Sequence, residues 1–529
     1  MPMLIFTSSS PSSSPTENSS TDLNGDFLWF QLFTEVLLRM EHTTPDRQEL
    51  IELCKASQKS NRYQLQIIDE FEQSYSEDNA VWWYTRESCF YRMLNKALRT
   101  QDIDTLIAFR FFITDLYHQL GELQVEQSGV TRVYRGQLMT DEELERLKSS
   151  VNQFVSMNSF LSTTTDQSVA TFFLPSSLNE ITDGSKAVLF EIEIDPLLED
   201  AKPYADISSR SFFKTEKEVL LMLGSIFKIQ SVTEGEIFST VKLSLCNEKD
   251  HQLKELTNYL RSKLPNKPNF YILGDLLDDM SEYEKAERCF QRGLNCLNDH
   301  NSKEAGNCFT GLGNVVFNRG NYDLAIIYHK KALTNYMTYP QDDAKISACY
   351  TNLGNAYEEK KDHENALQYY NKSLSIRNKL NGIESTEAAS VIYNIGIVFE
   401  NQQKYNDALV YYKRSLEIYA ITLPPDHYYI ARTFASMSET YYYLQQYPTA
   451  LEHLEKSLAL FKKSVTQMHD DLAVLYHFFG RVYEDTDRLG LALQYYDKAD
   501  TTYKHTLPDT HKEVMENRQH LESVKEKLK

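Results

Sequence analysis

The sequence predicts two joined parts of different class: an α+β domain made of a helical lobe and a sheet-rich core, followed by an all-α solenoid. Three observations carry this. The second half repeats one helical pattern six times, and the first half changes from helical periodicity to short β-type runs near residue 132. At 529 residues the chain is also too long for one ordinary core.

The repeats centre on Gly274, Gly313, Gly354, Gly396, Ser438 and Gly480, in steps of 39, 41, 42, 42 and 42 residues. Twelve residues after each centre stands an alanine: Ala286, Ala325, Ala366, Ala408, Ala450 and Ala492. Seven further on is another small residue: Gly293, Ala332, Ser373, Ser415, Ser457 and Ala499. Tyr350, Leu353, Gly354 and Tyr357 fall on one face of a first helix, and Ala366, Tyr369, Tyr370 and Ser373 on one face of a second. Fixed small positions in such a pattern predict closely packed helix pairs stacked in series.

These offsets resemble the tetratricopeptide pattern. The period is longer than the usual repeat of about 34 residues, and the extended repeats of kinesin light chain are the most similar. The Leu-Pro-Pro-Asp-His segment ending at His427 and the Leu-Pro-Asp-Thr-His segment ending at His511 resemble that family's inter-repeat loops. The resemblance implies repeats over residues 269–505, a linker or helix over 248–268, a capping helix over 506–529, and peptide or protein ligands in the repeat groove. Asn314, Asn352, Asn355 and Asn394 lie on first helices and either hold a partner's backbone or are solvated surface. A Gly-Leu-Gly run at Gly311 has no strand before it and sits inside a repeat helix, so it is not read as a dinucleotide fingerprint.

A net charge of −20 argues against nucleic acid or an anionic membrane surface as a partner. The seven cysteines form no C-x-x-C pair and no metal-ligand spacing, so they are expected to be reduced, buried thiols, and no metal is expected. Residues 1–23, rich in Ser and Pro, are expected to be disordered. No run of 18 apolar residues occurs, which predicts no membrane span and a cytoplasmic chain.

In the first half, residues 24–128 read as helix, with Phe27, Phe30, Phe33 and Leu37 at helical spacing. The β-type runs that follow include Val133 and Tyr134, Phe154 and Val155, Ala187 to Ile194, Val219 to Met222, Ile226 to Ile229, and Thr240 to Leu245. Three elements appear along them in order: Tyr134-Arg135-Gly136, then Ser162-Thr163-Thr164 ahead of a helix through Ala170 and Phe172, then Glu216-Lys217-Glu218. Alone each is weak, but the ordered set is specific.

That order resembles the arginine-type mono-ADP-ribosyltransferases, whose hallmark is Arg, then Ser-Thr-Ser, then Glu-x-Glu. The likeness spans roughly residues 25 to 245 and includes Ala80 to Thr85, Tyr91 to Arg99 and Asp206 to Phe212; Thr164 departs from the usual third Ser. It implies an α+β domain over 24–247, a helical lobe plus a β-sandwich core, that takes NAD as substrate and marks arginine-bearing proteins. By the same resemblance Glu218 is the catalytic acid, Glu216 engages the arginine nucleophile, and Ser162 orients Glu218. Arg135 binds the diphosphate side, Gly136 presents backbone to the nicotinamide amide, and Thr163 shapes the pocket. Tyr134 and Phe172 are either part of the NAD site or plain core. Alternation along a strand would set Glu216 and Glu218 on one face. Hydrolysis of NAD by water, and a catalytically silent scaffold, are the alternatives.

Overall fold

The computed structural model describes residues 3–6, 20–40, 44–126, 129–172, 174, 185–198, 201–213, 217–247, 264–265, 267–279, 282–338, 342–380, 384–464, 470–507 and 511–529. It forms two compact units, Met1–Leu276 and Leu277–Lys529.

The first unit opens with strand β1 (Met3–Phe6) and a helical lobe of seven helices: α1 (Ser20–Arg39), α2 (Thr44–Ser57), α3 (Arg62–Ser74), α4 (Ala80–Thr85), α5 (Cys89–Thr100), α6 (Ile103–Ala108) and α7 (Arg110–Glu126). Phe71 anchors the lobe, its ring centroid 4.1 Å from that of Phe90, 4.4 Å from Tyr75 and 5.0 Å from Trp83. Then come β2 (Arg132–Met139), α8 (Asp141–Ser149), β3 (Phe154–Met157), β4 (Leu161–Thr164), α9 (Gln167–Phe172), β5 (Lys186–Glu193), β6 (Tyr204–Asp206), β7 (Glu218–Leu221), β8 (Ile226–Thr233) and β9 (Ser239–Leu245). The strands hydrogen-bond as one nine-stranded mixed sheet in the order β1-β3-β8-β9-β5-β2-β4-β7-β6. Met157 and Phe227 from one end share a single core with Val219 and Leu221 from the other, so the two layers of the sandwich are one ladder folded around its own apolar face.

The N-terminal expectation needs correction. Met3–Phe6 is not disordered: this apolar run pairs antiparallel with β3, Met3 opposite Met157 and Phe6 opposite Phe154. Helix α1 likewise begins at Ser20, inside the stretch expected to be unstructured. Residues 7–19 lie outside the described residues, as does most of 248–268.

In the second unit and the helix leading into it, thirteen described helices follow one another: α10 (Phe270–Asp279), α11 (Tyr283–Asn295), α12 (Lys303–Asn318), α13 (Tyr322–Met337), α14 (Asp343–Glu359), α15 (His363–Leu380), α16 (Thr386–Asn401), α17 (Tyr405–Thr422), α18 (Tyr428–Tyr443), α19 (Tyr447–Ser464), α20 (Asp470–Asp485), α21 (Leu489–Thr506) and α22 (Lys512–Lys527). The small positions have a geometric cause. A Cβ on Gly313, Gly354, Gly396 or Gly480 would come within 3.0 Å of the ring of His329, Tyr370, Tyr412 or Tyr496, each sixteen residues on. Ser438 is the exception, and the residue sixteen further on is Leu454 rather than an aromatic ring. A cavity of about 140 Å³ lies there, lined among others by Ser438, Leu454, Tyr393, Arg432, Glu439 and Asp471. The six alanines are fully buried. The serines that follow pin each second helix to the first: the hydroxyls of Ser373, Ser415 and Ser457 donate to the carbonyls of Ser347, Ala389 and Ala431, each at 2.9 Å.

Five of the first helices are followed by a left-handed residue, Gly320, Lys361, Gln403, Gln445 or Asp487, with φ between 58° and 77°. The following amide bonds back five residues, as in Asp362 N to Tyr357 O at 2.9 Å. The groove asparagines pair with one another across repeats, Asn352 donating to Asn314 at 3.3 Å and Asn394 to Asn355 at 3.1 Å, so part of their capacity is spent within the array. Gly311 lies inside α12 against the Phe290 ring, as a packing glycine. Cys54, Cys89, Cys289, Cys308 and Cys349 are buried as expected, while Cys296 is exposed and Cys246 half-buried.

Candidate active site

Strand order brings the three sequence elements together. Arg135 lies on β2, Ser162 on β4 and Glu218 at the start of β7, and these strands are neighbours in the sheet. Tyr134 pairs with Thr164, Thr164 with Glu218, and Ser162 with Leu220. Paired residues share a face, and so do residues two apart, so Ser162, Thr164 and Glu218 point the same way. Val219 and Leu221, on the other face, lie in the core.

Arg135 is half-buried. Its Nη1 donates to the Ser162 carbonyl at 2.7 Å and its Nε to Gln137 Oε1 at 3.3 Å. Burial lowers the guanidinium below its ordinary value, and Tyr84, Tyr91 and Glu218 oppose that shift. The guanidinium therefore sits in a partly dry place within electrostatic reach of Glu218. Thr163 spends its hydroxyl on the Val219 carbonyl at 2.7 Å, which ties β4 to β7. Gly136 is required by close approach: a Cβ there would run into the Ala170 carbonyl oxygen of α9 and the Leu174 side chain. Tyr134 packs with Ala170, Leu174, Ala187 and Leu189 on the α9 side of the sheet. Phe172, at the end of α9, is 85% exposed, so it is not core. Glu216 and Phe173 lie outside the described residues.

The helical lobe supplies residues absent from the Arg–Ser–Glu series. Tyr84, on α4, is buried with its ring 5.4 Å from Tyr91 and 5.0 Å from Phe160. Its hydroxyl faces Asn95 at 3.5 Å. Burial, then Tyr91 and Glu218, push that hydroxyl well above the ordinary tyrosine range, so it stays a donor. Asn95 is fixed by donating to the Tyr91 carbonyl at 2.9 Å, the i, i+4 contact of α5. The sequence signal lies in Tyr84, Tyr91 and Asn95, inside two segments that carry the family likeness, but their meeting with Arg135 is tertiary.

The segment leading to Glu218 is held against the same lobe. Ile207 N donates to the Glu218 carbonyl at 2.9 Å, and Phe212 N donates to Thr85 Oγ1 at 2.8 Å. The Phe212 ring lies 5.3 Å from Trp82, with the Arg86 guanidinium over both rings. Arg86 is in turn fixed by Glu70 at 2.9 Å.

Comparison with known proteins agrees with this division. Residues 56–261 match the family model of the ADP-ribosyltransferase exoenzymes, and residues 304–379, 387–463 and 429–504 match the tetratricopeptide repeat. Similar solved structures include ADP-ribosyltransferase HopU1 of Pseudomonas syringae pv. Tomato DC3000, at 20% identity over 39% of this chain and 99% of that one, with a TM-score of 0.28. Vis toxin, an ADP-ribosyltransferase from Vibrio splendidus, is 21% identical over 41% of this chain and 92% of its own, with a TM-score of 0.26. A putative kinesin light chain with tetratricopeptide-like repeats from Podosopora anserina is 15% identical over 40% of this chain and 99% of its own, with a TM-score of 0.33. Among curated proteins none matches the chain. Among the described residues no helix is long and apolar enough to cross a membrane.

Proposed function

We propose that this chain, whose first unit carries an ADP-ribosyltransferase exoenzyme domain and whose second carries tetratricopeptide repeats, transfers ADP-ribose from NAD to arginine side chains of target proteins. The observation that carries the reading is Arg135, Ser162 and Glu218 on three adjacent strands, with Tyr84 and Tyr91 beside them.

In this reaction the bond from nicotinamide nitrogen to ribose C1′ breaks and its electron pair leaves with nicotinamide. Positive charge grows on the ribose, as in glycoside cleavage. Glu218 stabilises that charge as a fixed carboxylate in a partly dry site. A guanidinium nitrogen of the target bonds C1′ and gives up a proton, for which Glu216 is the candidate acceptor. Arg135, with two of its donors already engaged, offers the rest to the NAD diphosphate. Gly136 presents backbone to the nicotinamide amide, Ser162 orients Glu218, and Thr163 and Tyr134 set the walls of the site. Phe172 stands as an exposed ring for the nicotinamide face. The domain is assigned to residues 24–247 and the repeats to 269–505, which bring chosen proteins to it in the cytoplasm through peptide contacts in the groove. Neither nucleic acid nor membrane is a partner.

The test is incubation of the full chain and of Glu218→Gln with labelled NAD in a cell extract, followed by mass spectrometry of the modified residues. The expected result is ADP-ribose on arginine, a loss of about 100-fold or more in the variant, as for removal of a transition-state charge partner, and an unchanged melting temperature. Equal labelling by the variant, or label on other residue types, overturns the assignment. Free ADP-ribose outpacing labelled protein makes water the acceptor instead.

A further inference from the structure

The end of the solenoid holds a group of residues that the transferase reading does not use. His477 lies on α20, and Glu516 and His520 lie one turn apart on α22. One ring nitrogen of each histidine and a carboxylate oxygen of Glu516 lie within 4.8 Å of one another. We propose that His477, Glu516 and His520 form a zinc-class metal site that clamps the terminal helix onto the last repeat.

The hydrogen bonds around both rings favour this. Asn517 donates through Nδ2 to the Tyr496 carbonyl at 3.0 Å, which turns its Oδ1 toward His477 Nδ1, 3.0 Å away. An amide oxygen only accepts, so Nδ1 of His477 carries the proton and the lone pair is on Nε2. His520 Nδ1 faces the Glu484 carboxylate at 3.0 Å, and the same reasoning leaves its Nε2 as the ligand atom. Glu484 is itself held by Tyr496 and Lys527, at 2.9 and 2.7 Å. Metal-bound histidines have this arrangement, the second nitrogen donating to a carboxylate or amide oxygen that fixes tautomer and ring plane.

Two histidines and a carboxylate form a three-ligand set that leaves a fourth position open, suited to zinc. Zinc bonds of about 2.0–2.2 Å imply ligand separations of roughly 3.3 Å, so one side chain must close in. Glu516 is exposed and has the freedom to do so. His477 is buried, so its ring is held in place by the surrounding packing. The corresponding place in earlier repeats, three residues before each centre, holds Tyr271, Thr310, Thr351, Tyr393 or Ala435, so the repeat pattern itself does not require a histidine.

The full chain, stripped with a chelator, is titrated with Co²⁺ and then with Zn²⁺ while visible absorption is read. The expected result is one Co²⁺ per chain with the intense d–d bands of a four- or five-coordinate site, displaced by equimolar Zn²⁺ and untouched by excess Mg²⁺. Glu516→Gln and His520→Asn, both outside the core, should each weaken binding at least 10-fold while the protein stays folded by circular dichroism. Binding unchanged in both variants, or a thiolate-to-cobalt charge-transfer band that places the ion on a cysteine, overturns the proposal. Transfer activity on free guanidine compounds should not change, which separates this site from the transferase assignment.

Discussion

The two halves of the chain use glycine against a neighbour in opposite ways. In the solenoid, Gly313, Gly354, Gly396 and Gly480 each make room for a ring sixteen residues later, four times over. In the sheet, Gly136 makes room once, for the backbone of α9. A side-chain ring can shift by a few tenths of an ångström, whereas a carbonyl in a packed helix moves only with its helix. Repetition therefore gives the second half tolerance at each position, while the first half places all its chemistry on parts present in one copy.

Matched substitutions test this. Gly136→Ala should be the most damaging, costing about 3 kcal/mol as an overpacked site and reducing transfer at least 10-fold by displacing β2 beside Arg135. Transfer at wild-type rate together with an unshifted melting temperature would show that α9 yields. His329 supplies the next effect. Burial pushes its imidazole from 6.5 down to about 4, so between those values the unfolded chain binds more protons than the folded one. Its stability contribution is therefore complete above pH 6.5 and lost as the pH falls toward 4, amounting to about 3 kcal/mol at 1.36 kcal/mol per unit. His329→Phe should shrink the acid limb of the second unit's denaturation curve by about that amount, and an unchanged pH profile would refute it.

Gly396→Ala should cost about 2 kcal/mol and leave transfer to small guanidine acceptors intact. Combined with Tyr412→Leu, which copies the Ser438 and Leu454 pairing, it should cost less than the sum of the singles. Strict additivity in that double-mutant cycle would sink the size-matching account. The smallest effect is a gain. Gln403→Gly removes a side chain from a left-handed position and should stabilise by about 1 kcal/mol; a loss in thermal denaturation would argue that the Gln403 side chain makes a contact of its own.

Legibility in the sequence follows the same divide. Six copies compare themselves, so the register alone reveals what Gly354, Ala366 and Ser373 are for. Strands β5, β8 and β9 are visible as β-branched or alternating runs, but β4 and β6 are not. β4 is four residues dominated by hydroxyls, Leu161 to Thr164, and β6 is three residues long, so pairing makes them strands rather than composition. Met3–Phe6 adjoins the Ser/Pro-rich head, and only its pairing with β3 separates the two. Arg135, Ser162 and Glu218 can be named in order, but their adjacency depends on β4 inserting between β2 and β7. Tyr84 and Tyr91 fall within the family likeness without a role, because nothing local ties a helix residue to a strand some fifty residues later.

The one mismatched link in the array has a mechanical consequence. Where Leu454 replaces a ring, Ser438 faces space instead of a packed face, and the atoms lining it lack partners on one side. Restoring force in a stack of helices comes from such contacts, so stiffness is reduced there. Glu439 faces the same space, and burial together with Glu400 holds its carboxyl well above the ordinary carboxylate range. The fifth repeat thus joins looser packing to a buried carboxyl, and bending of the array should be eased there.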